Sequence, residues 1–348
     1  MLFRSKIVSA LLVGAGSVGK RHAKVLELLC DQLVIVDEDP KVARWVAEEL
    51  GPKAVFSHTI DSGIERLMGP RHQVISIIAT LGPSHFEIIE KLFESGIRRV
   101  YCEKPLATSI ADCRSIVEHA ERVGALVTVG LQRRYNGLAR EIRRAGDSFL
   151  GGHPTSVVAH GGAQCMITNG THWLDLACDL FKAAPTRVSA LMTPHQINPR
   201  GENLEMWQGG ATWLFSGERT LTMSYDNSSS SDGLVQVYFP LGRIDLNSDG
   251  TITMFGRNMD EVARDSRVTR VGDLKMLGPM DVSGLAADPV ARALQELADE
   301  RELTYPLRTA VEIAEAALAA LISSHEGMTV DIPVSRSHPL FAHRWAVT

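Results

Sequence analysis

Ile7-Val8-Ser9-Ala10-Leu11-Leu12-Val13-Gly14-Ala15-Gly16-Ser17-Val18-Gly19 is the stretch that decides how the front of this chain folds. Ile7–Val13 is apolar except for Ser9, which suits a strand buried on both faces and is too short to cross a bilayer. It runs into a Gly-x-Gly-x-x-Gly turn, and from Val18 onward apolar residues recur at helical spacing. Strand, glycine turn and helix in that order form the context of a dinucleotide-binding fingerprint. The first glycine permits the tight turn, the second lets the backbone approach a pyrophosphate, and the third lets helix and strand pack closely. Backbone N–H groups around Ser17 and Val18, at the helix start, are the expected phosphate ligands.

Working outward, Lys6–Val13, Leu33–Val36, Val74–Ala79, Arg99–Cys102 and Ala125–Val129 read as strands. Val18–Cys30, Pro40–Leu50, Pro83–Ser95 and Ile110–Val123 read as helices between them. Such alternation predicts a doubly wound parallel sheet, the Rossmann arrangement. The second strand ends at Asp37, where a carboxylate accepts hydrogen bonds from the adenosine ribose. Glu38 and Asp39 follow it, and three acids there would repel a 2′-phosphate, so NAD is expected rather than NADP.

Beyond Gly151 the texture changes to closely spaced strands: Thr155–His160, Ala211–Phe215, Leu221–Tyr225, Leu234–Phe239, Arg243–Leu246 and Thr251–Phe255. They predict an antiparallel meander with one face covered and the other open, closed by helices Pro289–Glu300 and Leu307–Ser324. The expected division is a Rossmann domain over residues 1–131, an α+β domain over 132–335 for substrate and oligomerisation, and a tail over 336–348. An open sheet face predicts a homodimer or homotetramer. Charged residues at 22% and a net charge of -5 supply no basic stripe, so nucleic acid is not an expected partner. Five cysteines with no Cys-x-x-Cys pair point to a reducing compartment, here the cytoplasm, and not to a disulfide framework or a metal site. Neither a signal peptide nor a membrane segment is expected.

Tyr101-Cys102-Glu103-Lys104-Pro105-Leu106-Ala107, together with the glycine turn upstream and Gly170-Thr171-His172-Trp173-Leu174-Asp175 downstream, resembles the glucose-fructose oxidoreductase, inositol dehydrogenase and MocA family of sugar and cyclitol dehydrogenases. Ile78–His85 and Gly130–Asn136 add to the resemblance. It implies that Lys104 lies at the junction of domains beside the nicotinamide and the reacting hydroxyl. A partly desolvated lysine near the cationic ring is expected to accept or relay the hydroxyl proton. His172 matches the family histidine that acts with this lysine, and the expected helix Thr171–Phe181 puts it in a first turn, where the dipole favours neutral imidazole. Asp175, three residues on, is placed to orient it. The resemblance also carries over Thr80, Leu81, His85 and Gln132 as cofactor-binding residues, gives Glu103 the role of binding cofactor or orienting Lys104, and implies that Pro105 fixes a turn which could be cis.

One departure stands out. Relatives commonly carry aspartate four residues before the histidine, whereas Thr168-Asn169-Gly170-Thr171-His172 puts threonine there. Threonine hydrogen-bonds but cannot serve as a carboxylate base. Either Lys104 and His172 suffice, or Thr168 and Asn169 read a different polyol, or catalysis has been lost. Pro194–Gln208, with Asn198, Arg200, Trp207 and Gln208, is the expected substrate-covering loop. The expected function is NAD-dependent oxidation of a secondary alcohol on a sugar, nucleotide sugar or cyclitol. A non-catalytic NAD sensor and a reductase of a cyclic imine or unsaturated ring are the alternatives.

Overall fold

The computed structural model describes residues 7–162, 165–195, 203–226, 228–229, 233–257, 274–286 and 288–347. The chain divides into two compact units. One is Met1–Tyr135 with Asp288–Ala314 and Arg336–Thr348, and the other is Asn136–Ala287 with Glu315–Ser335.

In the first unit, strands β1 (Ile7–Val13), β2 (Cys30–Val36), β3 (Ala54–Ser57), β4 (Ile75–Ile78), β5 (Arg99–Cys102) and β6 (Leu126–Val129) form a sheet in the order β3-β2-β1-β4-β5-β6, with every pair parallel. Helices α1 (Ser17–Leu29), α2 (Lys41–Glu49), α3 (Ile60–Glu65), α4 (His85–Glu94) and α5 (Ile110–Val123) make the crossovers. This is the expected doubly wound sheet. Its middle strands are sealed on both faces: Leu11, Leu12, Leu33, Val34, Ile35, Ile75, Ile77 and Ile78 are fully buried. The glycine in left-handed conformation at position 124 ends α5, as a C-terminal glycine should. Sequence reading missed β3 and α3, which are four and six residues long and too short for a periodic pattern to stand out.

The register positions the site. Val13 lies opposite both Val36 and Ile78, Ile78 opposite Cys102, and Cys102 opposite Val129. The carboxyl ends of these strands are therefore level, and Gly14, Asp37, Ala79, Glu103 and Gly130 each stand one residue beyond them.

The unit boundaries differ from those expected. After Tyr135 the chain leaves this unit and re-enters at Asp288. A helix over Pro289–Ala298 then packs on β4, β5 and β6, and Thr128 Oγ1 donates to Tyr305 O at 3.0 Å. The expected tail is part of the same fold. Trp345 N–H donates to Thr108 O at 3.0 Å, Arg344 bridges Glu87 and Asp112, and Val347 is fully buried.

The second unit begins at Asn136, the last residue of the short helix α6 (Arg133–Asn136). It holds α7 (Leu138–Phe149), β7 (Ser156–Gly161), α8 (Met166–Phe181), β8 (Pro185–His195), β9 (Met206–Phe215), β10 (Thr220–Tyr225), β11 (Leu234–Phe239), β12 (Gly242–Leu246), β13 (Ile252–Gly256) and β14 (Lys275–Pro279). After α9 (Pro289–Ala298) in the first unit, α10 (Leu307–Glu326) leads to β15 (Val330–Asp331). The sheet order is β14-β13-β12-β11-β7-β10-β9-β8-β15. It is mostly antiparallel, as expected, but it is not one meander: β7 inserts between two meanders and runs parallel to β10. One face packs against α8 and the later part of α10, where Trp213 Nε1–H donates to Ala316 O at 2.9 Å. Val158, His160, Leu191, Leu214 and Ser224 are exposed, and all but Leu191 alternate with buried neighbours along their strands.

Two expectations here need correction. Helix α8 starts at Met166, not at Thr171, because Met166 and Ile167 are buried and extend its apolar face. Gly170 lies inside the helix, where a Cβ would stand 2.9 Å from Met223 Sδ of β10; it allows close packing and does not mark a start. His172 is thus in the second turn, and the dipole argument for its neutrality lapses, since that effect fades beyond the first turn. The two ends of the expected loop Pro194–Gln208 are strand, with Pro194 opposite Trp207 and His195 opposite Met206, while residues 196–202 lie outside the described residues. Asn198 and Arg200 lie outside the described residues.

Candidate functional site

The glycine turn follows β1 directly, and Gly14 N–H donates to Val36 O at 2.8 Å. The three glycines have distinct physical reasons. Gly14 has φ +89°, and a Cβ there would lie 2.8 Å from the backbone of Ala79 and Thr80. A Cβ at Gly19 would lie 2.0 Å from Gly14 O, so α1 sits directly on the turn only because that residue has no side chain. A Cβ at Gly16 would meet nothing within 4 Å. The space beside Gly16 is open, and no side chain caps α1. The first-turn N–H groups, including those of Ser17 and Val18, have no intrahelical partner. An uncapped helix start with open space before it suits a pyrophosphate. Of the turn residues, Gly16 and Ser17 are exposed and Val18 is half-buried.

Asp37 stands beside this turn. Its Oδ2 accepts from Ala15 N–H at 2.7 Å and its Oδ1 from Asp39 N–H at 2.9 Å. Both oxygens keep a further lone pair, enough for ribose hydroxyls. Strand order reverses between β1 and β4, and ligands of doubly wound sheets bind in the crevice at such a reversal.

Across that crevice, Thr80 and Leu81 lead from β4 into a 3-10 turn at Gly82–Ser84, and Ser84 Oγ donates to Thr80 Oγ1 at 2.8 Å. Leu81 is exposed. Glu103 and Lys104 leave β5, and the Lys104-Pro105 peptide is cis. Lys104 is half-buried. Gly82 lets Pro105 and the carboxyl-terminal segment close in, since a Cβ there would lie 2.8 Å from Pro105 Cγ and 3.1 Å from Val347 O. Gln132 is exposed just beyond β6.

Two residues carried over as cofactor ligands are occupied by the protein itself. His85 is fully buried, with Nδ1 2.7 Å from Pro105 O and Nε2 3.1 Å from Thr80 O. Both ring nitrogens thus face backbone carbonyls of the protein itself. A neutral imidazole carries one N–H, and the shorter contact assigns it to Nδ1. Burial holds its pKa below the ordinary 6.5, against the opposing pull of the two carbonyls. Glu103 Oε1 lies 2.7 Å from His22 Nε2 of α1, with both side chains buried. Sequence reading passed over His22, although a histidine on the helix face that carries Gly19, Ala23 and Leu26 was a visible signal.

In the second unit, α8 carries the other candidates. Thr168, His172 and Asp175 fall on one stripe, because positions three and four apart share a helix face. Thr168 and Asp175 are buried and His172 and Asn169 half-buried, so the histidine is the accessible member of the stripe. Arg143 of α7 bridges to Asp179 Oδ1 of α8 at 3.3 Å, and Lys182, which caps α8 itself, reaches the same oxygen at 2.6 Å. All five cysteines are free. Among the described residues, no group of His, Cys, Asp and Glu could hold a metal ion, and no helix is long and apolar enough to cross a membrane.

The parallel sheet, the uncapped glycine turn and the acid ending β2 define a dinucleotide-binding protein of the Rossmann class. Residues 8–131 match the family described as the oxidoreductase family with an NAD-binding Rossmann fold (Gfo/Idh/MocA). Inositol 2-dehydrogenase 3 of Saccharopolyspora erythraea is 33% identical over 153 residues, which is 43% of each chain. An inositol 2-dehydrogenase/D-chiro-inositol 3-dehydrogenase of Shouchella clausii is 31% identical over 153 residues, 42% of each. The match thus spans less than half the length of these curated relatives. Among solved structures, aldose-aldose oxidoreductase from Caulobacter crescentus superposes with a TM-score of 0.72 at 18% identity, covering 94% of this chain and 100% of that one. The WlbA dehydrogenase of Chromobacterium violaceum, in complex with NADH and UDP-GlcNAcA, superposes at 0.70 and 17%, covering 95% and 98%. At such identities these structures attest the fold.

Proposed function

We propose that this chain is an NAD-dependent dehydrogenase acting on a secondary alcohol of a sugar, nucleotide sugar or cyclitol, or reducing the corresponding ketone. The observation that carries the reading is the level edge of the parallel sheet. There the NAD-type turn at Gly14–Gly19, the acid Asp37 and the Lys104-Pro105 turn leave β1, β2 and β5 at the same height. NAD binds across this edge, with Gly14, Gly16, Ser17, Val18 and Gly19 at its pyrophosphate and Asp37 at its ribose. Thr80, Leu81, Lys104 and Gln132 lie toward the nicotinamide. Bound NAD supplies the hydride acceptor. With NAD bound the hydride of the alcohol carbon would be accepted by the cofactor, and Lys104 and His172 would handle the hydroxyl proton as the ketone forms. Asn169, His172, Thr168 and Asp175 provide the substrate-reading surface of α8. Relatives named as inositol, aldose and nucleotide-sugar enzymes support a polyol substrate. The open face of the second unit's sheet is the assembly surface of a homodimer or homotetramer.

Thr168 supports a second reading. A buried hydroxyl in place of a carboxylate removes one proton acceptor, as suits a protein that binds NAD and reports on it without turnover. A screen of cyclitols, sugars and nucleotide sugars with NAD and NADP, following reduced-cofactor absorbance with Lys104→Ala and His172→Ala as controls, separates the two. The dehydrogenase reading expects turnover with at least one polyol, lost in both variants while NAD affinity persists. Tight NAD binding with no turnover of any polyol would refute the dehydrogenase reading and favour the sensor.

A further inference from the structure

We propose that His22 is a positioning residue for Lys104, linking the helix that grips the dinucleotide to the turn that carries the reactive amine. The inference rests on the dehydrogenase reading above for its catalytic consequence, though not for its structural one. His22 lies one helical turn beyond Gly19, whose missing side chain seats α1 on the glycine turn. From there its Nε2 reaches Glu103 Oε1 at 2.7 Å, with side chains 4% and 12% exposed. Glu103 is covalently next to Lys104. Its carboxylate occupies space left by Gly130, where a Cβ would stand 2.8 Å from Oε2 and 3.0 Å from Oε1. The His22 ring meets Tyr101 edge-on, with centroids 5.3 Å apart and planes at 65°, so the aromatic two residues back along β5 sets its orientation. The Glu103 backbone is held as well, its N–H donating to Ile78 O at 2.8 Å and its carbonyl accepting from Cys102 Sγ–H at 3.2 Å.

Glu103 is thus contacted by groups on α1, β4, β5 and the end of β6. A carboxylate that only filled space would not need a buried imidazole; this one anchors the start of the Lys104 turn to the phosphate-binding helix. Displacing Glu103 should move the Lys104 amine while leaving the phosphate-facing end of α1 in place.

The test uses His22→Phe, which keeps the ring and loses the nitrogen, and His22→Gln, which keeps an N–H donor. Lys104 acylation in the cofactor-free protein, timed by peptide mass spectrometry, reads its environment without any turnover. The labelling rate should change several-fold in His22→Phe and return toward wild type in His22→Gln. In the polyol assay, kcat should fall roughly 10- to 100-fold in His22→Phe, the scale of a small misplacement of a reacting group, and recover in His22→Gln. The NAD dissociation constant by calorimetry should move less than about threefold, since no phosphate contact is lost. Gly130→Ala crowds Glu103 from the other side and should reproduce the labelling change if His22→Phe fails to fold. Unchanged Lys104 labelling in a folded His22→Phe or Gly130→Ala protein overturns the proposal, as does a His22→Gln protein no better than His22→Phe. A wild type that turns over no polyol, with the labelling changes present, refutes the dehydrogenase reading and leaves His22 in its role.

Discussion

Gly16→Ala and Gly19→Ala alter the same turn by one methyl group each, and the structure predicts opposite consequences. At Gly19 the new Cβ would lie 2.0 Å from Gly14 O and 2.9 Å from Gly14 C, both backbone atoms of a turn that cannot yield freely. Overpacking costs about 1–3 kcal/mol, and a contact this short against backbone belongs at the upper end; the helix propensity gained by alanine returns about 1 kcal/mol. A net loss of about 2 kcal/mol is expected. At Gly16, φ is -66° and a Cβ meets nothing within 4 Å, so stability should change by less than about 0.5 kcal/mol. That methyl group nevertheless points into the space assigned to the pyrophosphate. Losing one charge-assisted hydrogen bond to a phosphate costs about 1.5–3 kcal/mol, or roughly 10- to 150-fold in NAD affinity. Urea denaturation of the cofactor-free proteins gives the stabilities, and calorimetric titration gives the dissociation constants. The reasoning fails if Gly16→Ala binds NAD like wild type, or if it is destabilised as much as Gly19→Ala.

Stability should fall in mild acid because of His85. Burial depresses its folded-state pKa below 6.5, so its contribution is complete above that value and is lost as pH drops toward the depressed one. The urea midpoint of wild type should therefore fall more between about pH 8 and pH 5 than that of His85→Gln. Asp37→Ser should narrow the preference for NAD over NADP about tenfold or more, since two unit charges 4 Å apart repel by about 1 kcal/mol in water and about 4 kcal/mol at a protein surface; titration with both dinucleotides reads the ratio, and an unchanged ratio would remove Asp37 from that role. Leu191 is 81% exposed on the second unit's sheet, and Leu191→Glu should convert an assembled species to monomer in light scattering if that face pairs with a second copy.

Much of the first unit was legible in its sequence because parallel strands buried on both faces leave unbroken apolar runs. Arg99–Cys102 and Ile110–Val123 are read without shift, and β1 differs only at its start. The second unit was harder. Strand β8 does not alternate cleanly, with Thr186-Arg187 polar and Ala190-Leu191-Met192 apolar between prolines at positions 185 and 194, and no local pattern shows that Pro194 pairs with Trp207. Helix α8 was read five residues short because a glycine inside a helix and a glycine before one look alike in sequence. Only the sulfur of Met223, brought up by another strand, shows which it is.

What the sequence determined by itself is the chemistry carried by each motif: a glycine turn fit for a dinucleotide, the acid Asp37, Lys104 ahead of a proline, and a histidine three residues before an aspartate. Local order along the chain is enough for that, since turn, strand and helix signals act over a few residues. What only the tertiary structure decided is which of the motif residues are held by other parts of the protein. His85 and Glu103 stand in motifs shared with cofactor ligands, yet one is spent between Thr80 and Pro105 and the other on His22. Those partners are 5, 20 and 81 residues away in sequence, and only the level packing of parallel strands against α1 and the Thr80 loop brings them within hydrogen-bonding distance.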